Sequence, residues 1–324
     1  MSALLDDNTG FSALHELVGG QTRQALVSEG AAALLSSDFF AQYAADIDGP
    51  IFEVSWPSQT VLEGVLRACK HRDALLVVEL PAFLYERDVG RVHREVASLV
   101  LDAIDKTDFE RPLTLLSSGW SLDELCKSPV EEQVFRLFAA VEAGFCAFRF
   151  EVPEEPLDPA AVEEVFDALS AWGVGAELVC DDGENCLELE KNLSDHGRTL
   201  ACTEGIELSG MKNVAFSPLV VVDPMVDKLS KGTSRLRIDS VVLASVKRAL
   251  RDEGAGLAER AEEFGASRVL ASISAAMDDI DDDTKDRLKA FSYADLRAFS
   301  DACGASGKAS AFLDAVLSQY ELER

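Results

Sequence analysis

Glu79, Glu151 and Glu177 are the residues of this chain best placed for acid–base chemistry. Each lies at the C-terminal side of a segment that reads as a strand, and two carboxylates in different surroundings can divide the roles of proton donor and acceptor. Arg149 and Arg237 occupy comparable positions, where a guanidinium would clamp a phosphate or carboxylate in bidentate fashion. Glu53, Ser117, Ser118, Asp181, Asp239 and Ser240 complete the polar set as substrate-binding candidates. Ser240 and the backbone N–H groups beside it suit an anion at the start of a helix. A second reading stands beside this one. The same charges can pair with one another inside the fold, because a buried arginine needs a carboxylate in any case.

Other chemistries find less support. The histidines are His15, His71, His93 and His196, and neither a CxxC nor a histidine pair at zinc-ligand spacing occurs. Ser117-Ser118-Gly119 has no histidine base nearby in the predicted elements, which argues against a hydrolase nucleophile. Schiff-base chemistry needs a desolvated lysine in a strand, and every lysine falls in a predicted helix or loop. The acidic run Asp278–Asp283 lacks the glycine and terminal glutamate of a calcium loop and reads as an exposed helix connection.

The elements that must hold the polar set alternate. Ile51–Val54, Ala74–Leu80, Leu113–Leu116, Phe145–Phe150 and Gly175–Cys180 read as strands, with weaker candidates at Thr199–Cys202, Ala215–Val222 and Leu236–Ile238. ALLVVEL is nearly continuous in apolar residues, as suits a parallel strand covered on both faces. Helical patterns separate the strands, so parallel pairing through right-handed crossovers is expected. No phosphate-binding glycine motif follows a strand. The fold class predicted is α/β, a (β/α)8 TIM barrel with an N-terminal helical segment and a C-terminal helical extension. The domains are residues 1–49 as helices on the barrel, 50–253 as the barrel and 254–324 as the extension.

Composition sets outer bounds. The chain has 324 residues, 30 basic and 58 acidic side chains, a net charge of −28 and 48% hydrophobic residues. That hydrophobic content is globular, and the acidity argues against nucleic acid or an anionic membrane as partner. Seven widely spaced cysteines read as reduced core thiols. With no signal-peptide pattern at the N-terminus, a cytoplasmic location is expected.

Four segments in order resemble the class II, metal-dependent fructose- and tagatose-bisphosphate aldolases. Ile51-Phe52-Glu53-Val54 followed by Thr60–Leu80 is similar to the family's first strand, helix and second strand. Val141-Glu142-Ala143-Gly144-Phe145 is similar to its fourth. Arg235-Leu236-Arg237-Ile238-Asp239-Ser240 resembles its eighth strand, and Cys303–Ala309 its glycine-rich tail. The resemblance covers most of residues 50–310 and implies a TIM barrel, a sugar-phosphate or similar anionic ligand, and carbon–carbon lyase chemistry.

The departures fall on the chemistry. The family's catalytic acid and a metal-binding histidine at the third strand correspond to Ser117 and Ser118, its histidine-glycine motif at the seventh to Val222–Val226, and its substrate-binding asparagine to Arg237. No cofactor is predicted, since a divalent metal finds no matched ligand set here. Two readings follow: a divergent aldolase-like lyase with a rearranged site, or a catalytically silent homologue acting as a binding or partner subunit, as some tagatose-bisphosphate aldolases employ. A homo-oligomer is expected in either case.

Overall fold

A computed structural model describes residues 34–35, 49–85, 88–127, 130–155, 157–180, 199–202, 235–254 and 256–322. The strands among them are β1 (Ile51–Ser55), β2 (Leu76–Leu80), β3 (Leu113–Ser121), β4 (Ala147–Val152), β5 (Gly175–Cys180), β6 (Thr199–Cys202) and β7 (Arg235–Arg237). They form one sheet in the order β6-β5-β4-β3-β2-β1-β7, and every pairing is parallel. Helices α1 (Gln59–Arg72), α2 (Val89–Thr107), α3 (Leu122–Lys127), α4 (Val130–Glu142) and α5 (Pro159–Ala171) are interleaved with the first five strands. After β7 come α6 (Asp239–Leu250), α7 (Leu257–Phe264), α8 (Ala266–Asp278), α9 (Asp282–Cys303) and α10 (Lys308–Leu322).

The sheet is strongly curled. Strands spaced ~4.8 Å apart would put β5 and β7 ~24 Å from each other in a flat sheet, yet Arg235 of β7 lies 2.5 Å from Glu177 of β5. Likewise Arg149 of β4 reaches Glu53 of β1 at 2.9 Å. The concave face is therefore an interior, and period-2 alternation sorts the strand residues between it and the helices. Phe52, Val54, Leu76, Val78, Leu80, Leu113, Leu115, Phe148, Phe150, Leu178 and Leu236 face outward into the layer shared with the helices. Ile51, Val77, Leu116 and Ala147, with Leu75 just before β2, face inward near the strand N-termini, where Phe312, Leu313 and Val316 of α10 close the floor. Backbone bonds from Gly307 and Ala309 to the carbonyls of Arg72 and Asp73, both 2.8 Å, fix the start of α10 beneath the sheet.

Several elements differ from the sequence prediction, for physical reasons. The pattern over Leu122–Glu142 is two helices, α3 and α4, and the sequence places Pro129 between them, a residue with no N–H to continue a helix. Conversely, Thr284–Phe291 and Ala294–Ala302, which read in the sequence as two helices, belong to the single helix α9, which contains neither glycine nor proline to interrupt it. Its N-cap is Asp281, whose carboxylate accepts the Thr284 N–H at 2.9 Å, so the end of the acidic run is a helix start. Most of the N-terminal segment predicted as helices (residues 1–33 and 36–48) and the strand 215–222 lie outside the described residues. Leu34, placed by the sequence pattern in a helix over Gln24–Leu35, instead forms a parallel β-bridge with Leu113, where backbone pairing to the start of β3 replaces a helical turn. None of the described helices is long and apolar enough to cross a membrane.

Gly64 sets the approach of α1 to α9. A Cβ there would sit 2.6 Å from the Lys289 carbonyl oxygen and 2.9 Å from Ser292 Cβ. Gly64→Ala is expected to push the two helices apart and destabilise the fold by about 1–3 kcal/mol. Urea denaturation of the purified variant would check this, and an unchanged midpoint would contradict the close packing.

Candidate functional site

Above the apolar floor the interior turns polar and mostly charged. Continuing along the inward faces gives Glu53 and Ser55 on β1, Glu79 on β2, Ser118 on β3, Arg149 on β4, Glu177 on β5, and Arg235 and Arg237 on β7. Arg149 is the hub. Its Nε donates to Glu177 at 3.1 Å, one terminal nitrogen to Glu53 at 3.0 Å and Glu79 at 2.9 Å, and the other to Glu53 at 2.9 Å and Glu177 at 3.0 Å. Arg235 lies 2.5 Å from Glu177 and 3.4 Å from Glu53. Arg237 lies 2.6 Å from Glu53 and 3.0 Å from Glu79, and donates to Ser267 Oγ of α8 at 3.1 Å. These are charge-assisted, multidentate contacts in a water-poor interior.

The electrostatics follow from that geometry. Burial would push the Glu53 carboxyl up, but Arg149, Arg237 and Arg235 outweigh it and hold the group well below the usual carboxylate range. Glu79 goes the same way: burial raises it, and Arg237 and Arg149 overcome both that and the charge of Glu53. Asp239, at the start of α6, behaves differently. Burial pushes its carboxyl up to about 6, with Arg237 and the hydrogen bonds of Ser267 and Ser55 only partly opposing.

The structure thus gathers Glu53, Glu79, Glu177, Arg149, Arg237 and Asp239 at one place and separates the other sequence candidates. Ser118 is buried on the same inward face and helps to lower the Glu79 carboxyl. Glu151 follows Arg149 on the same strand face but is exposed, so it does not share the buried cluster. Ser240 is also exposed. Asp181 lies outside the described residues. Ser117 faces the helices instead: Trp120 Nε1 donates to its Oγ at 2.9 Å, and its Oγ is 2.8 Å from His93 Nε2.

That histidine corrects the sequence reading, which found no base near Ser117. His93 comes from α2, held by its Nδ1 at 2.7 Å from the Val89 carbonyl. Burial lowers its pKa to about 4, so it is neutral, donates from Nδ1 and accepts from Ser117. The pair is sealed beneath Tyr85, Trp120 and Phe145, whose rings contact the imidazole, and both residues are fully buried. It ties α2 to β3 and meets no solvent.

Arg235 and Ser267 of the cluster were not among the sequence candidates. Arg235 was missed because the last strand was read from Leu236, although the alternation Arg235-Leu236-Arg237 already puts both arginines on one face. Ser267 comes from a helix that gave no signal of reaching the strand ends.

A metal of the kind class II aldolases use needs three or four N/O ligands on one centre. Among the described residues no such group of His, Cys, Asp or Glu occurs. The carboxylates that converge do so on guanidiniums, and the third-strand positions carry serines, so the described residues do not fit that ion.

A curled parallel sheet with interleaved helices and polar strand ends is the architecture of the class II aldolases, and the chain is aldolase-like in its fold. The YdjI aldolase of Escherichia coli K12 matches 86% of this chain and 100% of its own, with a TM-score of 0.53 and 11% identity. The fructose-bisphosphate aldolase of Campylobacter jejuni matches 86% of this chain and 97% of its own, with a TM-score of 0.56 and 13% identity. At these identities the likeness is one of fold. No family profile and no curated protein sequence matches the chain.

Proposed function

We propose that this protein is a closed aldolase-type (β/α)8 barrel of the cytoplasm that does not cleave aldols and serves as a binding or partner subunit. One observation carries this reading: all three guanidinium nitrogens of Arg149 face carboxylates of the chain itself. An anionic substrate at this position would have to displace Glu53, Glu79 or Glu177. A general acid also needs a pKa near working pH; Glu53 and Glu79 are driven away from it, and Asp239, raised to about 6, is buried and already bound to Ser55 and Ser267. The strand order supports closure, because β7 pairs with β1 and the curl turns β5 and β7, far apart in the order, toward each other. Cys69, Cys126, Cys146 and Cys303 are free thiols, in keeping with a reducing compartment.

The test has two parts. The purified protein, given fructose- or tagatose-bisphosphate with Zn²⁺, Mn²⁺ or Mg²⁺, is expected to release no triose phosphate above the protein-free rate. Mixed with a catalytic class II aldolase chain from the same cell, it is expected to co-elute and to raise that chain's turnover. Metal-dependent cleavage by the protein alone would overturn the proposal, as would failure to bind or activate the catalytic chain.

A further inference from the structure

We infer that Asp239, Ser55 and Glu79 form a proton-switched latch, in which one buried proton is shared through the Ser55 hydroxyl and its loss releases the start of α8 from the strand ends. Donor counting leads to this first. Ser55 Oγ lies 3.0 Å from Glu79 Oε2 and 3.3 Å from Asp239 Oδ2, and a hydroxyl has one proton to give. Given to the nearer Glu79, that proton leaves Ser55 presenting lone pairs to Asp239. The second contact is attractive only when Asp239 carries a proton of its own and donates it to Ser55 Oγ.

The charge count agrees. Among the described residues the cluster holds four carboxylates, Glu53, Glu79, Glu177 and Asp239, against the guanidiniums of Arg149, Arg235 and Arg237. A neutral Asp239 balances that set. Each described neighbouring element leads the same way. From β7, Arg237 stands 3.9 Å from Asp239 but is already bound to Glu53 and Glu79. From β2, Glu79 repels its charge. From β4, Arg149 is committed to the three glutamates. From α8, Ser267 donates a hydrogen bond at 2.5 Å, while Arg268 is drawn away over the Phe83 ring. The basic residues of α6 itself, Lys247 and Arg248, lie in its last turn.

The same carboxyl joins three elements. Asp239 Oδ1 accepts the Ser55 N–H of β1 at 2.8 Å, and Oδ2 accepts from Ser267 of α8. When the O–H bond of Asp239 breaks and its proton passes to solvent, a charge is left with only 2% of the residue exposed and without a counter-ion of its own. Admitting water to that charge requires the first turn of α8 to move. The sign is definite: a group raised to about 6 in the folded state stabilises it fully below the ordinary aspartate range and loses that contribution as pH rises through about 6. Glu53 and Glu79, which are lowered, act oppositely: their contribution is full above the ordinary glutamate range and is lost as pH falls below it toward their lowered values. The latch is therefore tightest in a mildly acidic window.

Hydrogen exchange tests this on the whole protein. Protection of the amides in the first turns of α8, corrected for intrinsic exchange, is expected to fall about tenfold from pH ~5 to pH ~7.5, while α5 stays constant. Asp239→Asn keeps the shape without the titration and is expected to abolish that slope. Ser267→Ala removes a donor that favours the charged form, so it is expected to move the midpoint to higher pH, and it carries the test should the asparagine variant not fold. A flat wild-type profile, an unchanged slope in Asp239→Asn, or an unmoved midpoint in Ser267→Ala would each overturn the latch.

Discussion

Arg149→Met is expected to destabilise the protein by about 3–5 kcal/mol at neutral pH, the usual consequence of stripping the partner from buried charges. Methionine fills much of the same space, so lost volume is a minor part of the loss. The major part is electrostatic. Glu53 and Glu177 are fully buried and Glu79 nearly so, and each uses an Arg149 nitrogen. Arg235 and Arg237 would remain against four carboxylates. The deficit is expected to shrink between pH ~7 and ~4.5 as the stranded glutamates take up protons. Urea denaturation at both pH values measures it. A loss below ~1 kcal/mol, of the size seen for exposed ion pairs, would show that water already reaches the cluster.

Phe312→Ala is expected to cost a comparable ~3–5 kcal/mol, by a different route. Phe312 is completely buried in the floor formed with Ile51, Leu75, Val77, Leu116 and Ala147. Removing the ring leaves a cavity that the rigid strands cannot collapse around, and α10 loses its main anchor. Limited proteolysis should then cut first between α9 and α10, ahead of global unfolding, and denaturant titration gives the overall loss. A variant as stable as wild type, with α10 still protected, would mean that this helix does not seal the interior.

Both effects depend on a geometry only partly visible in the sequence. ALLVVEL and the segments around Phe52, Phe148 and Leu178 announce buried parallel strands because they are apolar on both faces, and β5 and β6 fall where predicted. The polar set at the strand ends could also be read, because charges inside otherwise apolar runs stand out. The side each residue faces was harder to read. Ser117 and Ser118 were both placed at the strand mouth, yet adjacent strand residues point to opposite faces. The third strand also runs on to Ser121 through a register shift between Ser117 and Trp120. Glu151 looked equivalent to Glu79 and Glu177, but the cluster ends one inward position before it. The pairing of Arg149 with Glu53 and of Arg235 with Glu177 was invisible, because it joins strands three and five places apart that only the curl brings together. The sequence did offer both readings of these charges, a ligand pocket or a self-paired interior, and the geometry favours the second.

The described strand-end residues are committed to one another and leave no ligand set for a catalytic metal. Thermal melting of the whole protein in EDTA, and then with Zn²⁺, Mn²⁺ or Mg²⁺, tests it directly. An ion bound only by the native state at a hundred times its Kd adds about 2.7 kcal/mol and must raise Tm. The melting temperature is expected to be the same under all four conditions. A stoichiometric ion whose removal lowers Tm, and whose return restores it, would contradict it.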